Sequence, residues 1–130
     1  MIDDVIEENV SRTATSGRVA FPSDLFEAEI RRLAAENPKY QHDKPCEYVD
    51  LNHGTGCCLL GQALENIGID LEPFVASHSL NGEEFDDVVP VLGWDVDEKV
   101  LEWATTVQEH QDYGIEWAKA VALADGREID

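Results

Sequence analysis

Residues 95–124 read Asp95-Val-Asp-Glu-Lys-Val-Leu-Glu-Trp-Ala-Thr-Thr-Val-Gln-Glu-His-Gln-Asp-Tyr-Gly-Ile-Glu-Trp-Ala-Lys-Ala-Val-Ala-Leu-Ala124. Asp95 and Glu98 stand three apart as in a capping box, and Val100, Leu101, Ala104 and Val107 follow at helical spacing with Trp103 at the edge of the stripe. This predicts the longest helix of the chain, ending near Tyr113 and Gly114. A last helix from about Ile115 to Ala124 then presents Trp117, Ala120, Val121 and Ala124 at three- and four-residue spacings, so the two should form an antiparallel hairpin. Asp112 lies in the last turn of the first partner, where a carboxylate opposes the helix dipole at a cost of about 0.3–1 kcal/mol. Capping of the next helix, by accepting from the amide of Ile115 or Glu116, is the expected compensation; a ligand or metal carboxylate is the alternative.

Working back from that hairpin, further helical pieces are predicted over Glu83 to about Leu92, with Phe85, Val88 and Val89, and over Leu71 to about Ser79, with Phe74 and Val75. A helix beginning near Thr55 carries the stripe Leu59, Leu60, Ala63, Leu64 and Ile67 and stops at Gly68, where a left-handed residue belongs. The first helix runs from about Asp24 to Glu36, with Ser23 or Asp24 as cap, Glu27 completing a capping box, and Asn37-Pro38 ending it. Lys39 to Gly56 reads as loop, and residues 1–20 as a weakly structured arm before a single helical domain over residues 21–130. With no run of alternating strand residues, the expected fold is all-α: a small bundle of five or six helices.

The chain has 28 Asp and Glu against 9 Lys and Arg, a formal charge of −19 over 130 residues. The acids are spread along a chain that is 43% hydrophobic and long enough to bury roughly two thirds of its unfolded surface, so they describe the exterior of a folded domain. Such a field repels nucleic-acid phosphates and anionic lipid, and favours cations or basic patches on proteins. No apolar run reaches the roughly 18 residues of a membrane span, the start Met1 to Glu8 lacks the basic head of a signal peptide, and three cysteines suit a reducing compartment; a cytoplasmic protein is expected.

The stretches Gly56-Cys-Cys-Leu-Leu-Gly-Gln-Ala-Leu64 and Val107-Gln-Glu-His-Gln-Asp-Tyr-Gly-Ile-Glu-Trp-Ala-Lys-Ala-Val121 resemble small uncharacterised proteins of actinobacteria and their phages. The likeness covers about the C-terminal 85 residues. It implies a bacterial or bacteriophage accessory protein, a buried Cys-Leu helix and a helical hairpin, with no catalytic residues to carry over.

Four constellations have chemical content. His42, Cys46, His53 and Cys57 form two His-x-x-x-Cys pairs, with Cys58 beside them, and would suit zinc, although the spacing departs from the usual Cys-x-x-Cys knuckle. Cys57 in a helical first turn, with His78 and Asn81, would suit a thiol enzyme, but a field of this sign raises thiol pKa values. Gly54-Thr-Gly56 before a helix resembles a phosphate cradle without its lysine. Glu83, Glu84, Asp86 and Asp87 could bind calcium or mimic DNA phosphates; their pattern around Phe85, Val88 and Val89 makes them one acidic helix face, without the alternating ligands of a calcium loop. A saline habitat would also explain the acid. The reading adopted is a non-catalytic protein without cofactor that binds a protein partner bearing a basic patch, through Glu83, Glu84, Asp86, Asp87 and an exposed Trp94.

Overall fold

The computed structural model of the chain describes residues 19–41 and 47–126. Among these, seven helices and four two-residue strands follow in the order β1 (Val19–Ala20), α1 (Ser23–Glu36), β2 (Val49–Asp50), β3 (Thr55–Gly56), α2 (Leu59–Asn66), α3 (Glu72–Ala76), α4 (His78–Asn81), α5 (Phe85–Leu92), β4 (Trp94–Asp95), α6 (Glu98–Asp112) and α7 (Trp117–Ala124). The fold is mostly helical but not all-α. β2 and β3 form a small antiparallel hairpin, with Val49 opposite Gly56 and Asp50 opposite Thr55. β1 runs parallel to β4, pairing Val19 with Trp94 and Ala20 with Asp95. Strands of two residues carry no alternation, so their sequences read as loop. Of the expected N-terminal arm, residues 1–18 lie outside the described residues, and Val19–Ala20 are strand.

The apolar stripes bury as their spacing requires. Phe26, Ile30, Leu33 and Ala34 of α1 meet Leu59, Leu60, Ala63 and Leu64 of α2, Phe74 of α3, Phe85 and Val88 of α5, Ala104 and Val107 of α6 and Trp117 and Ala120 of α7 in one core. Helix starts depart from expectation in instructive ways. The helix predicted from Thr55 begins at Leu59, because Thr55 and Gly56 are consumed by the hairpin. α6 is capped by Asp97, whose carboxylate accepts from the amide of Val100 at 3.1 Å, while Asp95 is committed to β4. α1 has Pro22 at its cap position and no side-chain cap; Ser23 Oγ accepts instead from the Asp97 amide at 2.9 Å, and Glu27 pairs with Arg31.

α6 and α7 are joined by residues 113–116 and pack on each other. The Ile115 amide donates to the His110 carbonyl at 3.1 Å and that of Gly114 to Gln111 at 2.9 Å, with Gly114 left-handed at φ 83°. Two such bonds with a left-handed glycine close a helix without side-chain help. The Ile115 amide is therefore unavailable to Asp112, which accepts from Gln111 Nε2 at 3.1 Å. The start of α7 is satisfied from afar: Trp117 and Ala118 donate to the carbonyls of Tyr40 and Pro38 at 2.9 and 3.1 Å. These bonds tie the turn after α1 to the last helix. A second tie is ionic, for Arg31 forks onto Asp125 at 2.8 and 2.9 Å while lying 4.6 Å from the centre of the Trp103 ring.

Gly61 shows why the Cys-Leu helix needs its glycine. A Cβ there would stand 2.0 Å from the Tyr48 carbonyl oxygen, a backbone atom that cannot swing aside. Gly61→Ala should therefore cost about 3 kcal/mol, whereas Gly82→Ala, facing open space, should stay within about 0.5 kcal/mol of the parent in denaturant unfolding.

Candidate functional site

α5 and the two residues before it present a buried apolar side and an exposed acidic start, with Val91 exposed further along. Phe85, Val88 and Val89 point into the core, and Glu83, Glu84, Asp86 and Asp87 are exposed. Its first turn holds Asp86 and Asp87, where negative charge complements the helix dipole. No side chain of its own caps α5; the Phe85 amide donates to Gln108 Oε1 of α6 at 2.7 Å. That bond fixes the acidic end of α5 against α6. One carboxylate oxygen from each of Glu84, Asp86 and Asp87 lies within 4.8 Å of the others, and no other group of three or more His, Cys, Asp or Glu side chains converges in this way among the described residues. None of the ion pairs among the described residues involves them.

The Glu84 carboxyl is pushed up, first by partial desolvation and then by repulsion from Asp86, Glu109, Asp87 and Asp112. Two of those neighbours belong to α6. The acidic face therefore continues from α5 across the C-terminal turn of α6, where Tyr113 is 86% exposed. Beside it opens a groove of about 490 Å³ lined by Asp86, Val89, Pro90, Trp94, Val96 and Leu101, with Gly93 at its turn.

Trp94 is not the exposed aromatic expected from its place after Gly93. Its ring lies 5.0 Å from Phe21, 6.3 Å from Phe74 and 6.4 Å from Phe85, because pairing of β4 with β1 folds it onto the aromatic core. One edge remains open and forms a wall of the groove.

The other candidates are accounted for differently. His42 and Cys46 of the expected zinc set lie outside the described residues. His53 is exposed in the β2–β3 turn with Nδ1 2.8 Å from Asp50 Oδ2, and the backbone amide of Cys57 donates to Tyr48 at 2.9 Å; these two side chains share no cluster with a third described ligand. Cys57 is not in the first turn of α2. Cys58 is the buried N-cap, its Sγ accepting from the Gly61 amide at 3.4 Å. Asn81, nominated to orient a histidine, is buried, accepting from the Val49 amide at 2.9 Å and donating to the Val49 carbonyl at 3.1 Å. In the Gly54-Thr55-Gly56 stretch, the Gly56 amide is taken by Glu65 Oε1 at 2.9 Å, so a carboxylate stands where a phosphate would be needed.

Sequence reasoning missed Glu109 and Asp112 as members of the acidic face, and Gln108 as the residue that positions it. A signal existed: Gln108 and Gln111 fall four residues after Ala104 and Val107 of the apolar stripe, which places both toward the core. No helix of the described residues is long and apolar enough to cross a membrane. Neither family models, curated proteins nor solved structures match this chain.

A raised carboxyl means that the folded protein holds the Glu84 proton to higher pH than the unfolded chain does. Across that interval the native state binds more protons, so the contribution to stability falls as pH rises from the ordinary glutamate range and stays lower above it. Glu84→Gln should raise the melting temperature at pH 7 and low salt by about 1–2 °C, and the gain should vanish near pH 3 and shrink in about 1 M salt, which screens the repulsion and leaves the desolvation in place.

Proposed function

We propose that this protein is a non-catalytic accessory protein of a bacterium or its phage, acting in the cytoplasm by docking its acidic face onto a basic surface of a protein partner. The observation that carries the reading is the convergence of Glu84, Asp86 and Asp87 on α5, with Glu109 and Asp112 of α6 adding to the same field. Repulsion among them is a standing cost of the free protein. A partner supplying Lys or Arg would relieve it, and would gain in association rate from a chain whose net charge is −19. Asp86 and Asp87 are also held on a helix that the Gln108 bond anchors, so little backbone order remains to be gained on binding.

A second reading follows from the same face. Carboxylates spread over two adjacent helices present an anionic surface that a nucleic-acid-binding protein could accept in place of a phosphate backbone.

Affinity capture from a bacterial lysate, with Glu84, Asp86 and Asp87 intact or all changed to lysine, tests both. The intact protein should retain basic proteins that elute by about 0.3 M salt, and the lysine variant should retain none of them. Elution by duplex DNA would select the phosphate-mimic reading. Partners that stay bound to the lysine variant, or through about 1 M salt, would overturn the proposal.

A further inference from the structure

We infer that the groove beside the acidic face receives one large apolar side chain from a basic segment of the partner, so that recognition has an apolar anchor as well as charge. The inference rests on the acidic-docking reading and deepens it. The groove's walls come from three successive elements: Val89 and Pro90 of α5, Trp94 of β4 with Val96 after it, and Leu101 from the first turns of α6. Val89 is buried, while Trp94, Val96 and Leu101 are half-buried, so the floor is core and the walls are apolar surface left in water. Its volume of about 490 Å³ lies within the roughly 300–1,000 Å³ of binding clefts. Left-handed Gly93, at φ 69°, turns the chain sharply between α5 and β4 and contributes no side chain to fill the space.

The chemistry of the rim selects the occupant. Asp86 belongs both to this groove and to the carboxylate cluster with Glu84 and Asp87, so an apolar group that enters brings its neighbours against negative charge. Lys or Arg beside the anchor meets that charge. A second copy of this chain is disfavoured by its own net charge of −19, and anionic lipid and nucleic acid by the same field. What remains is a peptide segment with a Leu-like or aromatic residue between basic ones. Burying such a side chain should give at least a tenfold gain in affinity.

The probes are a short Lys/Arg-rich peptide with one central leucine, the same peptide with alanine in that place, and a third that keeps the leucine but has Glu for Lys and Arg. Binding is followed by amide and indole resonances of the whole protein. The leucine peptide should bind at least tenfold more tightly than the alanine one and shift Val89, the Trp94 indole, Val96 and Leu101, and the Glu-rich peptide should not bind. Equal binding of both basic peptides, with shifts confined to Glu84, Asp86 and Asp87, would overturn the groove and leave the acidic contact standing. Failure of both basic peptides, or equal binding of the Glu-rich one, would overturn the basic-partner reading itself.

Discussion

Two buried carboxamides on one face of α6 terminate two other helices, and the arrangement of the domain depends on them. Gln111 Oε1 accepts from the first helical amide of α2, Leu59 N, at 2.7 Å, and Gln108 Oε1 does the same for Phe85 N of α5 at the same distance. Both glutamines and both capped residues are fully buried. A helix start buried without partners leaves amides that water cannot reach, each at about 1–3 kcal/mol. α2 and α5 are eight residues each, too short to persist without tertiary support. Against a domain stability of about 5–15 kcal/mol, these two bonds decide whether the short helices can start inside the core at all.

The network extends outward from there. Gln108 Nε2 donates to Tyr48 Oη at 2.8 Å, and Tyr48 Oη donates to the Glu83 carbonyl at 2.8 Å. Tyr48 also stacks at 4.6 Å on Phe74, while the neighbouring Val49 is held by Asn81 at both its amide and carbonyl. The β2–β3 hairpin, α4, the start of α5 and α6 are thus one polar-bonded unit inside an apolar core. That rigidity has a functional consequence. Carboxylates that repel one another are kept on one face because their backbone is bonded from within, and the field they make is a fixed property of the surface.

Much of the architecture was legible in the sequence because it is amphipathic. The stripes Phe26-Ile30-Leu33, Leu59-Leu60-Ala63-Leu64 and Val100-Ala104-Val107 are buried, with Ile67 and Leu101 of the expected stripes half-buried at their edges, and Gly68 is left-handed at φ 89° as its position after α2 suggested. What escaped was set by pairing across the chain. Thr55 and Gly56 look like a helix entry until Val49 and Asp50 are placed opposite them. Asp95 spaces correctly from Glu98 for a capping box, yet β1 claims it and Asp97 caps instead. The acidic face on α5 was visible as a run, but its extension to Glu109 and Asp112, and the partial withdrawal of Trp94 into the core, follow from how α5 and β4 dock.

Native-state hydrogen exchange at the Leu59 and Phe85 amides tests the central role of the glutamines most directly. If Gln111 and Gln108 hold these helix starts as described, both amides should exchange only on global unfolding, as slowly as that of Val107 in the middle of α6. Exchange orders of magnitude faster than Val107, in step with a frayed helix end, would contradict the account.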